Sequence, residues 1–277
     1  MHAKVQDGAA DPFDFATRVT PENGRWIGHV SDDYRAFVGP FGGVTAATML
    51  RALLDHPERA GDPLAFTVNF CAPIGTGPFD LDLRLIKANR SSQHWSVELT
   101  QGNDDVLAFA TAVFALRRST WSHQPAGLPD TPSYEQTPVF GSAGAAPWIR
   151  QFEFRFVEST PKFGGAPHDA PASAHTKVWI GNRVPRKIDA VSLAAIADAF
   201  FARIFHVRGE IVPFGTMSMT TYFHADAADL AAEDSTAVLG VADAKIFHKS
   251  YADQTGELWS AGGRLLASTH QIAYFKV

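Results

Sequence analysis

The stretch from Asp189 to Phe205, D-A-V-S-L-A-A-I-A-D-A-F-F-A-R-I-F, constrains this chain more than any other. It reads as one helix, apolar on nearly every face. A helix of that kind belongs inside a protein and requires a surface that surrounds it. Asp198 nevertheless stands in its middle. On a wheel of about 100° per residue, Asp198 lies about 140° from Arg203, the other charge near it. Its wheel neighbours are Ala194, Ala195, Phe201 and Ala202. A carboxylate in such a setting is costly unless it is paired or put to use. Taken alone, the stretch allows a structural Asp that reaches an edge or caps a backbone as readily as a functional one.

A second helix of the same character is expected from about Val44 to Leu54, opened by Phe41-Gly42-Gly43 and ended at His56-Pro57. Before it, Arg25 to Val30 reads as a short strand. After it, Ala65–Phe70, Leu81–Ile86 and Trp95–Thr100 alternate apolar with polar residues, and Val106–Leu116 is almost continuously apolar. Alternation means one buried and one wet face, the habit of an antiparallel sheet. Asn103-Asp104-Asp105 supplies a hairpin turn.

Residues 119–148, rich in Pro, Ser and Gly, predict a linker between two units, 1–118 and 149–277. The order of elements then recurs. Phe152–Val157 and Lys177–Ile180 read as strands, followed by the apolar helix. Thr216–Phe223, Ala237–Ala242, Ile246–Tyr251 and Gly263–Phe275 are strands again, with a turn at Asp253-Gln254-Thr255-Gly256. Phe70 matches Phe223 and Leu107 matches Leu266 in this repeat. An all-round apolar helix followed by antiparallel strands predicts a sheet curled about the helix, once in each half.

Composition excludes several functions. The 277 residues are 45% hydrophobic and 19% charged, enough for a sizeable core. A net charge of −5 without a basic block argues against nucleic acid, whose phosphates demand a positive surface. One cysteine, Cys71, permits no intramolecular disulfide. The polar start shows no secretory pattern, and no apolar run approaches the ~18 residues of a membrane span, so a cytoplasmic protein is expected. The eleven His residues lack metal-ligand spacing, and neither G-x-S-x-G nor G-x-G-x-x-G occurs, so neither metal nor cofactor is expected.

Five stretches resemble acyl-CoA thioesterase II and its relatives: F-E-F-R-F-V (152–157), V-W-I-G-N-R-V-P (178–185), A-I-A-D-A (195–199), F-G-T-M-S-M-T-T-Y-F-H (214–224) and G-R-L-L-A-S-T-H-Q (263–271). The resemblance covers most of the chain and is stronger in the second half. It implies an α+β double hot-dog fold, two antiparallel sheets each wrapped round a central buried helix. It also implies an acyl-CoA substrate and a homodimer or higher homo-oligomer. In that family an Asp, a Thr or Ser and a Gln hold the water that attacks the thioester. By position these are Asp198, Thr216 and Gln271. The first half has Ala112 where Gln271 would recur and no acid within its helix, which implies one catalytic centre per chain. Two departures bear on the pocket wall and substrate choice: Phe41 precedes Gly42-Gly43 where the family has His, and Ile272-Ala273 follows Gln271 where it has Glu-Gly.

This trio suits thioester hydrolysis. A carboxylate accepts a proton from water, and burial raises its pKa towards neutrality, where a general base works best. An amide and a hydroxyl orient the same water. Backbone N–H groups at Gly42-Gly43 are candidate oxyanion donors, and close helix–sheet packing explains the glycines equally well. Phe200, Phe201 and Met217 are expected to line an acyl tunnel. Two rival readings are a non-catalytic acyl-CoA or lipid-binding protein and an enoyl-CoA hydratase. The second expects His five residues after the Asp, where this chain has Arg203.

Overall fold

The structure is a computed structural model that describes residues 11–102, 105–161 and 173–277. Helix α1 (Pro12–Ala16) is capped by Asp11, whose carboxylate accepts from the N–H groups of Phe13 and Asp14. Strands β1 (Thr20–Glu22) and β2 (Arg25–His29) lead into α2 (Gly42–Asp55). Residues Gly43 to Leu50 of α2 are all buried, as the all-round apolar pattern requires. Its two buried threonines, Thr45 and Thr48, are satisfied by the carbonyls of Phe41 and Val44 one turn back. Strands β3 (Asp62–Phe70), β4 (Pro78–Ala88), β5 (Ser92–Thr100) and β6 (Val106–Ala115) follow. The expected turn residues Asn103 and Asp104 lie outside the described residues.

The second half opens with α3 (Pro147–Arg150), β7 (Phe152–Glu158) and β8 (Thr176–Asn182). The single helix expected over 189–205 is broken. Helix α4 (Ala190–Ile196) stops early, and α5 (Arg203–Arg208) begins only after an extended Ala202. The two phenylalanines in the break explain its path. The Phe200 ring lies against Gly240 and Gly256, where a Cβ on either glycine would come within 2.5–2.7 Å of it. Phe201 turns into a cluster with Phe140, Trp148, Phe154 and Phe156. Strand β9 (Phe214–Phe223), α6 (Ala227–Glu233), β10 (Ala237–Asp243), the short β11 (Phe247–His248), β12 (Tyr251–Trp259) and β13 (Leu265–Phe275) complete the chain.

Two local expectations fail near β12. The run Ile246–Tyr251 is a tight hairpin rather than a strand, with Lys249 and Ser250 at positive φ. Residues Asp253 to Gly256 form no turn but lie inside β12. Asp253 is engaged as an acceptor, taking the N–H groups of Lys245 and Ile246 at 2.8 Å. Gly256 is small because Phe200 and Thr269 occupy the space beside it.

The strands form one antiparallel sheet in the order β1-β2-β4-β5-β6-β3-β9-β13-β12-β10-β8-β7, with β11 appended to β12. Read outward from its centre, each half has the same order, so β3 corresponds to β9 and β6 to β13. The halves join where β3 pairs with β9, and there Thr67 and Thr220, 153 residues apart, share a hydroxyl hydrogen bond of 2.9 Å. The same offset relates Phe70 to Phe223. Along the next strand pair, Phe66 faces Ala112 in the first half as Met219 faces Gln271 in the second. The internal repeat read from the sequence is therefore present in strand register. The sheets of the two halves are continuous, and their helices α2 and α4 pack against one another.

Candidate active site at the junction of two buried helices

Asp198 does not occupy the middle of a helix. It lies on the tightened turn just past α4, where its N–H bonds the Ala195 carbonyl at 3.2 Å and the Ala199 N–H bonds that of Ile196 at 2.9 Å. The start of α2 meets this turn. The Gly43 N–H lies near the Asp198 carboxylate and favours its charged form. A Cβ on Gly42 would stand 2.7 Å from Asp198 Oδ2, and one on Gly43 would stand 2.5 Å from the Ala195 carbonyl oxygen. The glycines thus allow close packing of helix on helix, and at Gly42 of helix on sheet as well, where a Cβ would stand 3.3 Å from the Phe70 ring of β3. They also bring a helix N-terminus, with its partial positive charge, onto the carboxylate.

Thr216 reaches the same place through a β-bulge. Strand β13 pairs Ile272 with Ser218 and then Ala273 with Thr216, so Met217 is the extra residue. The bulge reverses the alternation and re-aims Thr216 towards the face that carries buried Gln271. Met217 is displaced by it and stands 45% exposed. It points away from the face that carries the trio. Phe201 is buried among aromatic rings.

The three polar groups converge. Thr216 Oγ1 is 3.5 Å from Asp198 Oδ1 and 3.3 Å from Gln271 Oε1. A hydroxyl has one proton, so it donates to one of them at a time and keeps lone pairs for another partner. Gln271 Nε2 donates to the Ala197 carbonyl at 3.1 Å and lies 3.4 Å from Met219 Sδ. Burial is the largest influence on Asp198 and pushes its pKa up to about 7, against the opposing hydrogen bonds from Gln271, Gly43 and Thr216. Asp198, Gly42, Thr216 and Phe70 each retain some exposure, whereas Gln271 and Gly43 are buried. The site is therefore a polar notch with an open side.

Sequence reasoning missed Phe70, whose ring lies 3.3 Å from the position of a Gly42 Cβ, and Met219, which contacts the Gln271 amide. The parity of Met219 with Gln271 across two paired strands is visible only once the register is known. The two departures are also placed. The Phe41 ring stacks on Trp148 at 4.3 Å between centroids, and Ile272 points outward at 45% exposure, on the face opposite to Gln271.

The profile described as Acyl-CoA thioesterase C-terminal domain matches residues 125–275, and that described as Acyl-CoA thioesterase N-terminal domain matches residues 31–115. A search of the curated proteins finds no match. Among solved structures, a conserved protein of unknown function with hot-dog fold from Alicyclobacillus acidocaldarius is 39% identical over 97% of this chain and 99% of that one, with a TM-score of 0.90. The tesB protein of Mycobacterium avium subs paratuberculosis is 19% identical over 96% and 98%, with a TM-score of 0.76. The acyl-CoA thioesterase II TesB2 of Mycobacterium marinum is 18% identical over 95% and 98%, with a TM-score of 0.74. At those identities the last two speak for the hot-dog fold alone. The two profiles between them span most of the sequence, and the chain belongs to the acyl-CoA thioesterase family.

Proposed function

We propose that the protein hydrolyses acyl-CoA thioesters to a free acid and CoA, with Asp198, Thr216 and Gln271 holding the attacking water. The observation that carries this reading is the convergence of a carboxylate, a hydroxyl and an amide beside the start of α2, with burial raising the carboxylate's pKa to about 7. Water held by Thr216 and Gln271 attacks the thioester carbonyl carbon while Asp198 takes its proton. The carbonyl oxygen becomes an oxyanion. The Gly42 N–H, at the first position of α2 with no acceptor inside the helix, is the proposed donor to it. Collapse of the tetrahedral intermediate breaks the C–S bond, and the proton on Asp198 passes to the departing sulfur.

In this reading the second half, 149–277, supplies the polar trio. The first half, 1–118, supplies the helix start, and 119–148 joins them. Gly42 and Gly43 border the reacting carbonyl, and the partly exposed Phe70 borders the acyl group. Self-association into a homodimer or larger homo-oligomer belongs to the same reading and is measured by light scattering.

Release of free thiol from a series of acyl-CoAs tests the function. Turnover by the parent and its loss in Asp198→Asn support it. Tight acyl-CoA binding without turnover would instead favour the binding-protein reading. The hydratase reading finds no support in the geometry, because Arg203 is committed to backbone carbonyls and its helix neighbours.

A further inference from the structure

Arg203 is 2% exposed, and no carboxylate lies within ion-pair distance of it among the described residues. Its guanidinium is nonetheless fully used. Nε donates to the Phe201 carbonyl at 3.0 Å, and one Nη donates to the same oxygen. The other Nη donates to the Ala174 carbonyl at 3.1 Å and to Thr176 Oγ1. The last N–H lies 3.3 Å from His206 Nε2. Burial and the neighbouring Arg203 charge depress the His206 pKa to about 3, so its ring is neutral and able to accept. Five donors therefore meet acceptors on three segments: the break between α4 and α5, the entry to β8, and α5 itself.

The break is the segment that carries Asp198. It follows the carboxylate directly, at the point where the chain has left one helix and not begun the next. Without regular backbone bonds, its course is fixed by Phe200 on the two glycines, by Phe201 in its aromatic cluster and by the grip on the Phe201 carbonyl. We propose that Arg203 is a positioning residue for the hydrolytic centre: it clamps the 199–202 turn to β8 and so keeps Asp198 against the start of α2 and away from bulk water. The inference rests on the thioesterase reading for its kinetic expression, not for its geometry.

No charged side chain contributes to the Asp198 shift. The elements packed on Asp198 present Gly42 and Gly43 from α2, Phe70 from β3, Thr216 from β9 and Gln271 from β13, none of which titrates near neutrality. Around Arg203 the titratable groups are His206 on α5 and Asp243 on β10. Asp243 is itself held by Lys245 at 2.6 Å. Burial pulls Arg203 down to about 9, against the attraction of Asp243, which leaves it a cation at neutral pH. Loosening the turn thus admits water to Asp198 without introducing a charge.

Arg203→Lys keeps the cation and loses the planar fork. Thr176→Val removes one acceptor with little change of volume and provides a milder variant where the first fails to fold. We expect kcat to fall about tenfold or more in Arg203→Lys with KM within about twofold, since a displaced base weakens the chemical step rather than binding. The acid midpoint of kcat/KM moves to lower pH, with a smaller shift of the same sign in Thr176→Val. A 13C carboxyl titration of Asp198 reads the same displacement without turnover. If the parent hydrolyses nothing yet the Asp198 midpoint drops in the variants, the clamp stands and the thioesterase reading falls. A lower melting temperature with kcat and the Asp198 midpoint unchanged would overturn the clamp, because that is what a purely structural arginine gives.

Discussion

Gly42, the first residue of α2, lies so close to Asp198, beyond the end of α4, that a Cβ on it would stand 2.7 Å from the carboxylate oxygen Oδ2. This close approach joins the two repeats of the chain at the proposed centre of reaction. It also determines what small changes at this junction should do.

Gly42→Ala and Gly43→Ala should separate activity from stability. The new Cβ at Gly43 would press on the Ala195 carbonyl oxygen at 2.5 Å, and backbone has little room to yield. A loss of about 1–3 kcal/mol in denaturant unfolding is expected. At Gly42 the Cβ would meet Asp198 Oδ2 at 2.7 Å, so the carboxylate is displaced instead. Thiol release should fall at least tenfold while the unfolding midpoint changes much less. Equal behaviour of the two variants in both assays would contradict this assignment.

The pH dependence has a definite sign. The folded-state pKa of Asp198 is raised by burial to about 7, above the ordinary carboxylate value of 3.8. Its contribution to stability is therefore complete below 3.8 and is lost as pH rises through about 7. Asp198→Asn carries no such group. The variant should gain stability relative to the parent as pH rises through that window, measured by urea unfolding at pH 4 and pH 8. Hydrolysis by the parent runs the other way, with an acid limb in kcat/KM near the same pH. Asp198→Asn should lower activity about 100-fold or more.

Thr216→Val and Gln271→Ala test the two water-orienting groups. Valine keeps the shape of threonine and removes the hydroxyl that lies 3.5 Å from Asp198. A fall in kcat of about 10- to 100-fold, with a nearly unchanged melting curve, is expected. Gln271→Ala recreates the residue that the first half carries at Ala112. It should fold, since that half folds with alanine there, and it should lose a comparable factor in kcat. Parental rates in either variant would remove that residue from the mechanism.

A fourth expectation concerns the opposite junction of the same two helices. Arg186 bonds Asp14 at 2.9 Å, Asp189 at 2.6 Å and Ser192 Oγ at 2.6 Å, and Arg51 of α2 reaches Asp14 at 3.0 Å. Asp189 also caps α4 by accepting from the Ser192 N–H. Arg186→Ala leaves Asp189 without its cation and Asp14 with Arg51 alone. Unfolding free energy should fall by about 1–3 kcal/mol, with kcat little changed. A variant as stable as the parent would show that the network contributes nothing.

The fold was legible because its signals are periodic. Two all-round apolar segments required an enclosing sheet, alternation gave the strands, and the recurring order of elements gave the repeat. The register later placed Ala112 and Gln271 in equivalent positions, as the repeat implied. The early stop of α4 was not legible, because no proline or glycine marks it. It follows from where Phe200, Phe201 and Arg203 find partners, and those partners are remote in sequence. The outward turn of Met217 was hidden for a similar reason. A bulge leaves no mark in an alternating strand, and one inserted residue exchanges the two faces.

The Asp14–Arg51–Arg186–Asp189 network gives the repeat a division of labour. Two helices that pack head to tail have two ends at which the start of one meets the finish of the other. Here one end carries a lone carboxylate held near neutrality, and the other is closed by permanently paired charges. The braced end stabilises the helix pair, so the catalytic end can give up some stability to hold its carboxylate. A lone carboxylate is then free to sit where it weakens the fold at working pH, because the opposite end of the same helix pair holds the frame.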